Sequence, residues 1–432
     1  MKTLEVRIEW LDAPSVVTPE LAATWARYEI WVGDTCITQV ETGDGTYRRS
    51  VFGSLYPLAE WIATNWWVLN NHIRPSAIDT RYWSWANVSS YSWLRQHNFR
   101  AAGDGMPWPN LTVVPEGAVS RLVWRSDSRP LLGPIRFAAN GNATLKTDDV
   151  LSGLAAVVEH VLERLAESGQ KKTQLAEEWS SIASLDDEES AFCTAVARLG
   201  LDPFSVSNSV AEEVIEAAAS LPEELRGDFL DTADIRSLTD AAAWARQALT
   251  AATDASNQPI EDLSIFYAAN SAPGSSGPPW ALGYAIARKV RQDLAIAATD
   301  PFDPSPWVGV SAVNAPSRGI QGIVTVKSSK CGLAFPGFHS NAQRIKFRQA
   351  QAIGRIVAEP DRAAFLMSPA HSYNEKVARA FAAELLAPAA GMRVLLGDIS
   401  DELDTALEQV ADSFAVPLLV VQHQYENQLA KT

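Results

Sequence analysis

Two pairs of residues in the last third of this chain stand at spacings that bring side chains onto one helical face. His371 and Glu375 are four apart, and His423 and Glu426 are three apart. Imidazoles and carboxylates are the groups from which zinc ligands and proton-transfer pairs are built. His423-Gln424-Tyr425-Glu426-Asn427 is a polar run for a terminal helix that should pack on a core. It reads as a buried polar network, a partner-binding face or part of a relocated hydrolytic site. A lone histidine, such as His339, is more often structural or on the surface than a ligand. No nucleophile elbow, phosphate-binding loop or dinucleotide fingerprint stands in a supporting strand–helix context.

The strongest motif runs from Asn374 to Pro388 and contains Phe381-Ala382-Ala383-Glu384-Leu385-Leu386 followed by Ala387-Pro388. With the helix around Phe347–Arg355 and the C-terminal helices, it resembles the ImmA/IrrE family of zinc metallopeptidases. The resemblance covers about Trp280 to Leu429. In that family a first helix carries A-H-E-x-x-H and a second supplies the third ligand. On that alignment Gln351 and Arg355 stand at the histidine positions and Ala352 at the general base. Glu375 stands at the third-ligand position, and Arg379 replaces a family asparagine. Glutamine is a poor zinc ligand, arginine is permanently cationic, and alanine moves no proton. The resemblance therefore implies the fold without the family's zinc hydrolysis: no catalytic residue and no cofactor, zinc entering only with a relocated site.

Two expectations follow for Glu375. Ser372-Tyr373-Asn374-Glu375 fits a capping box, in which the carboxylate caps its own helix. Alternatively, Arg355 fills the former metal position and pairs with Glu375, with Arg379, one turn on, as a competing partner. Arg379, Glu384, His371, His423, Glu426 and Asn427 form the candidate polar or partner site.

The elements that would position these groups follow from periodicity. The chain reads as α+β and predominantly helical. Residues 1–145 form a tryptophan-rich α+β domain, with 11 of the 15 tryptophans before residue 125. Leu4, Val6, Ile8 and Trp10 alternate as in a half-buried strand, and Leu55–His72 carries apolar residues at helical spacing. Residues 146–260 form an acidic helical domain with helices at about 148–168, 174–183, 188–199, 209–221 and 238–252. Residues 261–432 form the degenerate ImmA/IrrE-like, gluzincin-like domain. It begins near a Pro/Gly/Ser-rich loop at 272–279, with helices at 280–294, around Gln351 and Glu375, and at 400–414 and 417–429.

The net charge of −15 is concentrated in residues 146–260, where 22 acidic side chains face 8 basic ones. No broadly basic segment exists, so direct nucleic-acid binding is not expected. No apolar run approaches a bilayer span, and Met1–Glu5 opens no secretory signal. Three scattered cysteines suit a reducing cytoplasm. The expected function is a bacterial pseudopeptidase acting through a protein partner. The family context points to a transcriptional regulator or a defence-system component, in stress response, mobile-element regulation or phage defence. The alternatives are an active metallopeptidase with a relocated site and a structural subunit binding through its tryptophans.

Overall fold

The computed structural model describes residues 3–13, 18–73, 92–128, 135–269, 278–314, 319–337, 341–397 and 402–430. His339 and residues 272–277 of the 272–279 loop lie outside them. The chain is α+β with helix predominating, 52% against 19% strand. It divides into two compact units, residues 1–211 and 212–432, so the acidic stretch 146–260 contributes to both.

In the first unit, β1 (Leu4–Trp10) pairs antiparallel with β2 (Trp25–Val32) from Leu4↔Val32 to Trp10↔Ala26. Alternate residues of β2 (Ala26, Tyr28, Ile30 and Val32) enter the core. The far edge of β2 is shared by β3 (Thr35–Cys36) and β4 (Val51–Ser54). A second antiparallel sheet has the order β7 (Gly141–Lys146), β6 (Val119–Arg125), β5 (Asn110–Pro115). The helix expected over 55–72 forms as two, α1 (Tyr56–Thr64) and α2 (Trp66–Asn71). The break falls at Asn65, whose side-chain amide donates to the Trp61 carbonyl. Side chains of this kind compete with the helical ladder. Helix α3 (Thr147–Glu167) sends Val150, Leu154, Val157, Val158, Val161 and Leu165 into the same core.

In the second unit, helices α4 (Glu223–Leu230), α5 (Leu238–Ser256) and α6 (Pro279–Asp293) precede and flank a four-stranded sheet. Its order is β8 (Val308–Val313), β10 (Lys330–Pro336), β9 (Gly322–Lys327), β11 (Ala364–Met367). The β8–β10 pairing is parallel and the others antiparallel. Helix α5 offers small residues, Ala245, Ala248, Ala252 and Ala255, and packs very close to the sheet. A Cβ added at Gly332 would lie 1.8 Å from the Ala252 carbonyl oxygen, so only glycine permits this approach.

Strand β11 pairs with β9 on one side only. On the other side its amides meet carboxylates from α4. Glu224 accepts from Ala363 and Ala364 at 3.2 and 3.0 Å, and Asp228 accepts from Leu366 at 3.2 Å. Otherwise unsatisfied edge donors are thereby bonded within the unit.

Helices α7 (Ala342–Ala358), α8 (Tyr373–Leu386), α9 (Ala389–Gly397), α10 (Leu403–Phe414) and α11 (Leu418–Gln424) complete the unit. The stretch Tyr373–Gly397 is, contrary to the sequence reading, long and apolar enough to cross a bilayer by length and composition. It is also mostly buried, 61%. Pro388 separates it into two core-packed helices, the use such a stretch has inside a protein.

Candidate functional site

The site is assembled on α8, which is gripped from two sides through small residues. On α6, a Cβ at Gly283 would lie 2.4 Å from the Val377 carbonyl oxygen. On α7, a Cβ at Gly354 would lie 2.9 Å from the Phe381 ring and 3.0 Å from Ala378. Close backbone approach brings the polar residues of α7 and α8 within hydrogen-bonding range. Ala352 is fully buried in the same core and carries no chemistry.

Glu375 is 3% exposed, in the first turn of α8. Half of the expected capping box forms: the Ser372 hydroxyl accepts from the Glu375 backbone N–H at 3.3 Å. The carboxylate does not complete the box. One oxygen accepts from the Ser368 N–H at 3.1 Å and the other from the Gln351 side-chain amide at 3.0 Å. Arg379 stands 3.5 Å away, its guanidinium also donating to the Ser368 and Ala370 carbonyls. Burial raises the Glu375 pKa from its ordinary 4.5, opposed by the charges of Arg355 and Arg379. Burial likewise lowers that of Arg379, which the Glu375 charge opposes.

The pairing expected between Arg355 and Glu375 is not made. Arg355, 2% exposed, turns to Asp228 at 3.1 Å and Glu359 at 2.7 Å, with its guanidinium over the Phe365 ring. Arg362 shares both carboxylates. The reason is strength of partner: two carboxylates answer the cation better than one whose oxygens already accept an amide and a backbone N–H. It is therefore Gln351 whose side-chain amide meets the Glu375 carboxylate.

At the other end of α8, Glu384 is 1% exposed. It accepts from Arg288 at 2.7 Å and from the side-chain amides of Gln424 and Gln428, each at 2.8 Å. Gln424 lies at the end of α11 and Gln428 in the single π-helical turn Tyr425–Leu429 that follows. Such turns re-aim side chains within a helix. The polar run at 423–427 thus divides: Gln424 is buried in this network, while His423, Glu426 and Asn427 are exposed.

Between α6, α7, α8 and α11 lies a cavity of about 700 Å³. Helix α7 contributes Arg344, Phe347, Arg348 and Gln351, and α8 contributes Lys376, Arg379, Ala380 and Ala383. Trp280 and Tyr284 of α6 and Leu419, Val420, His423 and Asn427 at the C-terminal end add to the wall. His371 also lines it, so Gln351, His371, Arg379, His423 and Asn427 meet at one place. Arg355, Glu375, Glu384 and Glu426 are not among the described lining residues. Sequence reasoning did not single out Trp280, Arg344, Arg348 or Lys376. The signal was present as Arg344 and Arg348 one turn apart on α7, and Lys376 and Arg379 on α8.

The donor set does not suit zinc. Both oxygens of the Glu375 carboxylate are engaged, and its neighbours are an amide and guanidiniums, the latter repelling a cation. Among the described residues no group of three or more histidine, cysteine, aspartate and glutamate side chains could hold a metal ion. In the first unit, none of the described tryptophans is exposed, and Trp61, Trp93, Trp108 and Trp124 are buried. Comparison with known protein families and with curated proteins finds no match.

Proposed function

We propose that this chain is a non-catalytic regulatory protein of ImmA/IrrE-like descent that holds a segment of a protein partner in the cavity beside α7 and α8. The observation that carries this reading is the 3.0 Å hydrogen bond from Gln351 to Glu375 beneath that cavity. On the family alignment it joins two positions that would share a metal. A direct amide–carboxylate bond there stabilises the helix pair and leaves an adjacent concave surface lined by apolar and cationic groups, the composition of a recognition site. The resemblance supplies the context: a bacterial, cytoplasmic protein whose partner is a transcriptional regulator or a defence component. The relocated-site alternative has His371 and His423 on the cavity wall, but no third ligand among the described residues. The tryptophan alternative has no exposed described tryptophan in the first unit.

The test uses the full chain. Ala383→Trp, which fills the cavity, is expected to abolish binding of a co-purified partner while thermal stability is retained. Metal analysis of the purified protein, with and without added zinc, is expected to give no stoichiometric binding and no peptide hydrolysis. Stoichiometric zinc and hydrolysis, both lost in His371→Ala or His423→Ala, would overturn the reading.

A further inference from the structure

We infer that the outer edge of β1 pairs with β1 of a second copy of this chain, antiparallel about a two-fold axis at Ile8; this is independent of the cavity and of the function proposed for it. Strand β1 stands at the edge of its sheet, with β2 on one side only. Hydrogen bonds at its two ends fix which way its backbone points. The Gly33 N–H donates to the Thr3 carbonyl at 2.8 Å, and the Leu11 N–H to the Trp25 carbonyl at 2.9 Å. In the register Leu4↔Val32, the odd-numbered residues therefore bond β2, and the N–H and C=O groups of Leu4, Val6, Ile8 and Trp10 point out of the sheet. Helix α3 closes one end of this row: a Cβ added at Gly153 would lie 2.3 Å from the Leu4 carbonyl oxygen. Among the described residues, no hydrogen bond reaches the outward groups of Val6, Ile8 or Trp10.

Open edges are normally blunted by proline, lysine, a bulge or shortness. Strand β1 has 7 residues, contains neither proline nor lysine, and pairs with β2 without interruption. The outer amides of β11, by contrast, are answered by Glu224 and Asp228. On the core face of β1, Val6, Ile8 and Trp10 are only partly buried, and a neighbouring strand would cover them.

The window at residues 6–10 is symmetric about Ile8, and that selects a second copy as the occupant. Antiparallel pairing there sets Ile8 against itself, Val6 against the copy's Trp10, and Arg7 against the copy's Glu9. Apolar side chains meet on one face and opposite charges on the other. The copy's strand ends opposite Val6, short of the place that α3 takes at Leu4. Sliding the copy by two residues opposes Arg7 to Arg7 or Glu9 to Glu9, and sliding it by one sets charges against apolar groups. Arg7 and Glu9 already pair with Glu5 and Arg27, all four side chains being roughly half exposed. Those partners need not be released. Backbone groups make the new bonds, and the charges only exclude registers in which like signs meet. A two-fold contact consumes both edges, so assembly stops at the dimer.

Sedimentation equilibrium of the full chain tests this, and a dimer in exchange with monomer is expected. Ile8→Pro removes the N–H at the axis, which makes no bond to β2, so this variant should fold and remain monomeric. Arg7→Glu brings like charges together on both sides of the axis and should weaken dimerisation about tenfold. Adding Glu9→Arg restores opposite signs and should recover most of that loss. Far-ultraviolet circular dichroism reports the fold of each variant; if Ile8→Pro fails to fold, the charge variants decide. A chain that is monomeric at every concentration would overturn the inference. So would a dimer unweakened by Ile8→Pro or Arg7→Glu, or no recovery in the double variant. A monomer that binds an unrelated extended peptide, and loses it in Ile8→Pro, would reassign the edge to a foreign strand and overturn the second copy.

Discussion

The two ends of α8 each bury a carboxylate, and they hold it differently. Glu384 meets an arginine whose side chain is itself 57% exposed, plus the side-chain amides of Gln424 and Gln428 and the Ala389 N–H. Its charge is met by four donors, and its cation remains partly hydrated. Glu375 meets one amide, one backbone N–H and an arginine already committed to two carbonyls. Its ionised form is disfavoured by burial. Helix burial alone therefore does not decide what a carboxylate does; the mobility and prior commitments of its partners do. The Glu384 end acts as a fastener for the C-terminal turn, and the Glu375 end lies beside the cavity.

The largest expected effect is on the packing of α8 itself. Gly283→Val would drive α6 away from α8, where even a Cβ lies 2.4 Å from a carbonyl oxygen, at a cost of about 3 kcal/mol or more. Chemical denaturation would read it, and a cost near zero would show that the helices are free to separate. Next, Glu384→Gln should cost about 2 kcal/mol, because the charge-assisted bonds from its four donors are weakened or lost. Glu375→Gln should cost no more than about 0.5 kcal/mol, since a buried charge is removed along with its bonds. Equal costs would erase the distinction between the ends.

A smaller effect sharpens which partner Arg355 serves. A double-mutant cycle of Arg355→Met with Asp228→Asn should show about 1–2 kcal/mol of coupling, and one with Glu375→Gln less than about 0.5 kcal/mol. The reverse order would restore the pairing that the sequence suggested. The smallest effect is in pH dependence. Because folding raises the Glu375 pKa, its linkage contribution is fully present below the unfolded value of about 4.5 and is lost as pH rises through the folded value. The stability of Glu375→Gln relative to the unsubstituted protein should therefore improve as pH rises from acid toward neutral. A difference independent of pH would mean that Glu375 titrates alike in both states.

Much of this architecture was legible in the sequence where period was strong. Alternation marked β1, and helices α3, α6, α7 and α8 form near their expected positions. Strands β8, β10 and β11 went unread for a physical reason. Strand β10, largely buried, reads as a near-continuous apolar run rather than an alternating one, β8 mixes buried and exposed residues without alternation, and β11, all four of whose residues are buried, is too short to show a period. At the site, types and helix positions were readable, but partners were not. Nothing in the local sequence says that Arg355 will meet Asp228, 127 positions earlier. Gln351 was read as a lost ligand, and only the packing of Gly354 against α8 brings its amide to Glu375.

The carboxylates of Glu224 and Asp228 along β11 bear, under the proposed binding function, on what the protein could distinguish. A sheet edge left open recognises any extended chain, because every peptide offers the same carbonyls and amides. With the Ala364 and Leu366 amides already engaged, two donors of this edge are closed to foreign backbone. Under the proposed binding function, discrimination would rest on the shape and charge of side chains in the walls between helices rather than on the backbone of β11.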